Sequence, residues 1–240
     1  MNSITFLNVR VDDVTFAETL ALMESCIAQG GPHQICTVNP EFIMLAQRDA
    51  EFRGVLARSD LNIPDGGYLR WAARLRGRRL REQVTGSDGL PLFAALAARK
   101  GYRIFFLGAG EGVAELAAKL LCERFPGLHV VGAYAGSPAI ADDEPLVARV
   151  RAARPDALFV AYGAPQQDEW IARNAQRLQV PVMMGIGGTL DYIVGLVPRA
   201  PHWMRRLGLE WLYRLIRQPW RWRRQLAIWQ FAWHSLRERV

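Results

Sequence analysis

Short apolar runs alternate along this chain with longer stretches in which apolar residues return every three or four positions. Ile4 to Val11 alternates loosely, which predicts a strand or small hairpin beside a main sheet. Phe16, Leu20, Met23 and Ile27 fall at helical spacing and predict a helix with one face on a core. Gln34 to Val38 reads as a buried strand. Asn39-Pro40-Glu41 then opens a helix, with Asn39 as N-cap and Pro40 at the first helical position, and that helix is expected to run to about Arg58. Leu61 to Pro64 predicts a short strand, followed by a helix through Trp71 and Leu75 and a basic turn at Arg76 to Arg81. Thr85-Gly86-Ser87-Asp88 opens the next helix, with Ser87 as its expected cap.

From Tyr102 the pattern becomes regular. Strands at Arg103–Leu107, His129–Val131, Ala157–Ala161 and Val180–Ile186 are separated by helices through Leu116 and Leu121, from about Asp142 to Ala153, and through Trp170 and Ile171. Strands alternating with helices at this interval predict an α/β fold, a Rossmann-like and mostly parallel sheet with helices on both faces. In such sheets ligands bind where the carboxyl ends of strands meet helix N-termini. Thr37 to Asn39, Asp65, the glycines at 108–112, Gly163 to Pro165 and Gly187-Gly188 all fall at such ends.

Asp65 is held between Pro64, which fixes its own φ and restricts Asn62-Ile63 to extended shapes, and Gly66-Gly67. Either this is an ordinary Asp-Gly turn or it presents one acid to a ligand at a strand end. Gly108-Ala109-Gly110-Glu111-Gly112 follows a strand and precedes a helix, but its spacing departs from the dinucleotide fingerprint. Gly108 and Gly110 are candidates for facing a phosphate with backbone N–H groups, which a nucleotide-sugar pocket also requires. Gln167 and Asp191 each begin a helix. They read equally as well-capped, dipole-favoured starts or as groups that hydrogen-bond a sugar or base.

Charge divides the chain in two. Arg199 to Val240 holds ten arginines against Glu210 and Glu238, a charge of +8, so the preceding residues carry −1 of the total +7. Six of the eight tryptophans lie there as well. The expected division is a core of residues 1–198 and a basic, Trp-rich appendage of residues 199–240. Arg206, Glu210, Arg214 and Arg217 form one face of a helix projected over Trp203 to Arg217. Pro219 ends it, and Trp222, Leu226, Trp229, Trp233 and Leu236 make a second stripe. Such segments suit a membrane interface, although the stripes can equally pack on the body or a second subunit, and Arg with Trp also suits nucleic acid. No run reaches the ~18–20 apolar residues of a membrane span. Cys26, Cys36 and Cys122 have no metal-ligand spacing and read as reduced core residues of a cytosolic protein. No Asp-x-Asp pair is present, so no metal and no cofactor is expected.

Thr37-Val38-Asn39-Pro40-Glu41, Pro64-Asp65-Gly66, Thr85-Gly86-Ser87-Asp88, Gly163-Ala164-Pro165-x-Gln167, Gly187-Gly188-Thr189-x-Asp191 and Arg199-Ala200-Pro201 together resemble the WecG/TagA/CpsF family of bacterial glycosyltransferases, over nearly the whole chain. The resemblance implies an inverting, metal-independent transfer of a sugar from a UDP-sugar to an undecaprenyl-diphosphate-linked sugar in cell-surface polysaccharide synthesis. It implies a peripheral enzyme at the cytoplasmic face of the inner membrane, reached through the C-terminal appendage, with a homo-oligomer possible and no nucleic acid as partner. Asp65 would be the catalytic base, and Thr37, Asn39 and Gln167 would line the pocket. Arg206, Arg214, Arg217, Arg221 and Arg224 would engage phosphates. The sequence departs from the family at Gly67-Tyr68 after Asp65-Gly66, at Gln83 where Arg is often found, at Gln166 where Lys is common and at Asp168 where Glu is common. These departures leave N-acetylmannosamine, its uronic acid and glucose all open as the donor sugar. The competing readings are a nucleotide-binding α/β oxidoreductase and a nucleic-acid-binding protein using the basic tail.

Overall fold

The computed structural model describes residues 1–201, 203–204, 210–217, 219 and 222–237. Strands β1 (Ser3–Phe6) and β2 (Val9–Asp12) form an antiparallel hairpin that stands apart from the main sheet. The main sheet comprises β3 (His33–Val38), β4 (Leu61–Pro64), β5 (Arg103–Gly108), β6 (His129–Tyr134), β7 (Ala157–Ala161) and β8 (Val182–Gly185) in the order β4-β3-β8-β7-β5-β6. Every pairing in it is parallel.

Side chains alternate across a strand, and here both faces are apolar because both are covered. Ile104, Phe106, Phe159, Val182 and Met184 pack on one face with helices α1 (Phe16–Gln29), α5 (Gly86–Lys100) and α6 (Val113–Arg124). Their strand neighbours Phe105, Leu107, Leu158, Val160 and Met183 pack on the other with α7 (Asp143–Ala153) and α8 (Gln166–Leu178). A third cluster joins the hairpin to Cys36 and Val38 of β3 and to α2 (Pro40–Ala46), α3 (Ala50–Arg58) and α4 (Gly67–Leu75).

Two helix starts differ from expectation for capping reasons. The helix projected from Pro40 to about Arg58 is two helices. The amides of Arg48 and Asp49 both fold back on Leu45 O, and Asp49 Oδ1 then caps α3 by accepting from the Phe52 amide at 3.0 Å. The break sets Phe42 edge-on to Phe52, with ring centroids 5.2 Å apart. At α5 the cap is Thr85 rather than Ser87, because Thr85 Oγ1 accepts from the Asp88 amide at 3.1 Å.

Helix α9 (Thr189–Ile193) ends the body, and the appendage contributes α10 (Glu210–Arg217) and α11 (Trp222–Arg237). The part of the projected first tail helix at 205–209 lies outside the described residues. Helix α11 packs along α2 and touches α4. Phe231 enters the third cluster and meets Phe6 edge-on at 5.7 Å, and Gln230 Oε1 accepts from Arg48 Nη2. Burying that ring is worth about 1.5–3 kcal/mol, enough to seat the helix. The tryptophans of the stripe do not pack on the body: Trp229 is 69% and Trp233 57% exposed. Among the described residues no helix is long and apolar enough to cross a membrane.

Gly108 ends β5 with φ +105°, and a Cβ there would lie 2.7 Å from the Ala161 carbonyl carbon of β7. The glycine is therefore required by close strand contact. Gly108→Ala should lower unfolding free energy by about 1–3 kcal/mol or more through positive-φ strain and overlap. Gly110→Ala, whose Cβ would meet only the movable Val113 Cγ2 at 3.3 Å, should change it by about 0.5 kcal/mol or less. Urea unfolding of the two variants checks this, and equal effects would contradict it.

Candidate functional site

The carboxyl ends of β3, β4, β7 and β8 surround a cavity of about 460 Å³, within the range of small-molecule sites. Each strand delivers a different kind of group. Thr37 is the last residue but one of β3, and its Oγ1 donates to Gly185 O of β8 at 3.3 Å. Asn39 follows and lines the cavity while its Oδ1 caps α2 by accepting from the Phe42 amide. Pro40 sits at the first turn, as its missing N–H allows. The sequence thus turns β3 into α2 at the cavity wall.

Asp65 lies one residue beyond β4. Its amide donates to Val38 O at 2.8 Å, which continues the sheet ladder to the cavity edge and fixes where the carboxyl begins. Gly66 has φ +120° and sits over Pro40 and Asn39, so the chain leaves Asp65 in a conformation that side-chain-bearing residues resist. Gly67 and Tyr68 start α4, and Tyr68 packs against Trp211 of α10 with centroids 5.6 Å apart. Burial pushes the Tyr68 hydroxyl above the usual phenol range, so it stays protonated.

Loops after β7 and β8 supply the opposite wall. Gly187, Gly188 and Asp191 line it together with Gly163. Gln167 lines it too, but its Oε1 already accepts from the amides of Gly187 at 2.8 Å and Gly163 at 3.2 Å. Its described role is therefore to tie two loops together. Next to it Asp168 is fully buried beside the Gln167 amide and the Cys36 thiol, and among the described residues no hydrogen bond reaches either carboxyl oxygen. Desolvation dominates and pushes its pKa up to about 7. Burial, and then the neighbouring Asp168, also drive the Cys36 thiol well up.

Seven of the expected site residues converge: Thr37, Asn39, Asp65, Gln167, Gly187, Gly188 and Asp191 share the cavity. Gly108 and Gly110 do not line it, since β5 lies one strand beyond β7. Arg217, exposed at the end of α10 and stacked over Tyr213, does not line it either. Arg206 and Arg221 lie outside the described residues, as do the side chains of Arg214 and Arg224.

The family resemblance implies an appendage that helps complete the site, but sequence reasoning did not single out Glu210, Trp211 and Ile228, which reach the cavity from it. Sequence reasoning also missed how the appendage is held. Arg199 grips Asp88 with Nη1–Oδ1 at 2.8 Å and Nη2–Oδ2 at 3.1 Å, and its Nε stands 3.7 Å from Glu210 Oε1. The only sequence signal was that both partners belong to motif runs. Among the described residues the lining holds the carboxylates Glu41, Asp65, Asp191 and Glu210 and no arginine or lysine, and no cluster of metal-ligating residues is found.

The family model for the WecG/TagA/CpsF glycosyl transferases matches residues 4–240. An N-acetylglucosaminyldiphosphoundecaprenol N-acetyl-beta-D-mannosaminyltransferase of Bacillus subtilis (strain 168) is 38% identical over 205 residues, covering 85% of this chain and 79% of its own length. The enzyme of the same name from Bacillus spizizenii is 34% identical over 81% of this chain and 75% of its own length. That from Staphylococcus aureus (strain NCTC 8325) is 28% identical over 89% and 84%.

The buried carboxyl gives stability a pH dependence. Unfolded Asp168 ionises near pH 4, whereas the folded protein keeps the proton until about pH 7. Its neutral form is present in both states below pH 4, and folding loses stability as pH rises from there through 7, by on the order of 4 kcal/mol in all. Asp168→Asn should remove most of this dependence. Urea unfolding of both proteins between pH 5 and 8.5 measures it, and parallel curves would show that Asp168 does not titrate in that window.

Proposed function

Because the chain belongs to the WecG/TagA/CpsF family of glycosyl transferases, we propose that it moves an N-acetylmannosamine-class sugar from a UDP-sugar onto undecaprenyl-diphosphate-linked N-acetylglucosamine in cell-surface polymer synthesis. The named activity of the relatives supports the sugar and the acceptor. The observation that carries the reading on this chain is Asp65, an acid whose amide is fixed by backbone pairing at the wall of a polar cavity where four parallel strands end.

In the proposed reaction the acceptor hydroxyl attacks the anomeric carbon in line, so configuration inverts. The bond from the acceptor oxygen to that carbon forms as the bond to the UDP β-phosphate oxygen breaks. UDP leaves with the electron pair, and Asp65 takes the hydroxyl proton. General-base assistance of this kind is worth ~10²–10⁴-fold, and holding the two substrates together supplies much of the remainder. Thr37, Asn39, Gly187, Gly188 and Asp191 would form the donor pocket, with Gln167 bracing it. The charge that develops on UDP calls for positive groups. With no cation among the described lining residues, the arginines at 206, 214, 221 and 224 take that role in this reading, without a metal.

The oxidoreductase reading loses its support, since the glycines at 108–112 stand outside the cavity and the family is one of glycosyl transferases. Exposed Trp229 and Trp233 on α11 and Trp71 on α4, carried by a basic segment, support peripheral binding to an anionic membrane at its cytoplasmic face.

Asp65→Asn should cut turnover by ~10²–10⁴-fold while metal-free calorimetry still reports UDP binding. Turnover within a few-fold of the parent would remove Asp65 from the base role. Trp229→Gln with Trp233→Gln should weaken sedimentation with anionic vesicles and leave the unfolding midpoint unchanged, because neither side chain supports the core. Vesicle binding that survives both changes, or salt-sensitive RNA binding without vesicle binding, would overturn the membrane assignment.

A further inference from the structure

Gln167 ties together two loops that are not otherwise neighbours in sequence. Gly163 leads from β7 to α8 and Gly187 from β8 to α9, with φ of +81° and +52°, and both amides donate to the same Oε1. That tie exists in one orientation of the side-chain amide only. Rotated by half a turn, Gln167 would present an NH₂ group to two N–H donors.

The two amides favour the first orientation, and the surroundings of Gly185 show a second group that favours it as well. A Cβ on Gly185 would lie 2.4 Å from Gln167 Nε2 and 2.8 Å from Asp168 Oδ1. The amide nitrogen and the carboxyl therefore meet over one bare Cα of β8. In the observed orientation nitrogen faces carboxyl. In the rotated one the amide oxygen would face the buried carboxyl, a contact that is costly once the carboxyl is ionised.

We propose that Asp168 is a positioning residue: its buried carboxyl orients the Gln167 amide, and through it holds the Gly163 and Gly187 loops at the spacing that forms the cavity wall. Asp168 does not line the cavity and touches no ligand in this scheme. Its own environment is set by the thiol of Cys36 on β3 and by Glu169 on α8. Of the other acidic groups packed against α8, Asp49 and Glu51 around α3 act on Glu169, and Asp143 and Glu144 of α7 are engaged by Arg173 and Arg177. Strands β7 and β8 bring Ala161 and Gly185, which carry no charge.

The inference rests on the proposed nucleotide-sugar site only for what the wall is for, so its test reads the wall itself. Amide hydrogen exchange of the full chain would be followed in peptides covering 161–168 and 185–191, with β5 and β6 as internal references. Asp168→Leu, which keeps the approximate shape and removes the acceptor, should lower protection at Gly163 and Gly187 by about tenfold or more with the reference strands unchanged. Asp168→Asn, which keeps a carbonyl facing Nε2, should restore protection to within about twofold. Unchanged protection in the Leu variant, or an Asn variant as open as the Leu variant, would overturn the assignment. Should the Leu variant fail to fold, Gln167→Glu provides the same contrast. It places a second carboxyl oxygen against Asp168, so loop protection corrected for intrinsic exchange should fall as pH rises and the pair gives up the proton it shares. Combining it with Asp168→Asn should remove that fall, and protection independent of pH in Gln167→Glu would count against the proposal.

Discussion

A parallel sheet runs out of hydrogen-bond partners at its carboxyl edge, and each backbone group left there must find another. In this protein the solutions to that problem are the walls of the cavity. The Asp65 amide takes Val38 O, the Ile186 amide takes Val160 O, and the Gly163 and Gly187 amides share the oxygen of Gln167. Each pairing continues the ladder by one step and then releases the chain, so the residues that follow are displayed at fixed depth. The placement of Asp65 is a consequence of that pairing more than of its own side chain.

Local rules made much of this legible in advance. The alternation of strands and helices, the Asn39-Pro40 cap and the Asp65-Gly66 turn each depend on residues within a few positions of one another, and each is found. The failures are of two kinds. Where two local solutions compete, as at Asp49 within α2–α3 or Thr85 against Ser87, the winning cap is the one whose helix direction suits the core behind it. Where the deciding contact is distant, nothing nearby signals it. Neither the contact of Gly108 with Ala161 nor the two amides on the oxygen of Gln167 has any signal in the residues beside them. The tail shows both kinds at once. Its tryptophan stripe is plain in the periodicity, but the residue that anchors the helix is Phe231, one of several apolar residues off that stripe.

Charge follows a matching division. The described lining of the cavity presents carboxylates, and the net positive charge of the chain belongs to the segment from Arg199 onward. Arg199 itself stands at the junction, with Asp88 of the body on one side and Glu210 of the appendage on the other. A fork that binds both oxygens of one carboxylate has little freedom to turn, so the start of the appendage is oriented by the first turn of α5.

The seating of Phe231 between Phe6 and the residues of α2 has a mechanical meaning. Helix α11 is bolted to the body by its inner face while its tryptophans point outward, so a surface that captures those tryptophans captures the whole molecule in one attitude. The helix it rests on, α2, begins at Asn39 in the cavity wall. An adsorbed molecule would therefore hold its opening at a set height and tilt above the surface, and a search for a lipid-borne partner would reduce from three dimensions of tumbling to a glide in two.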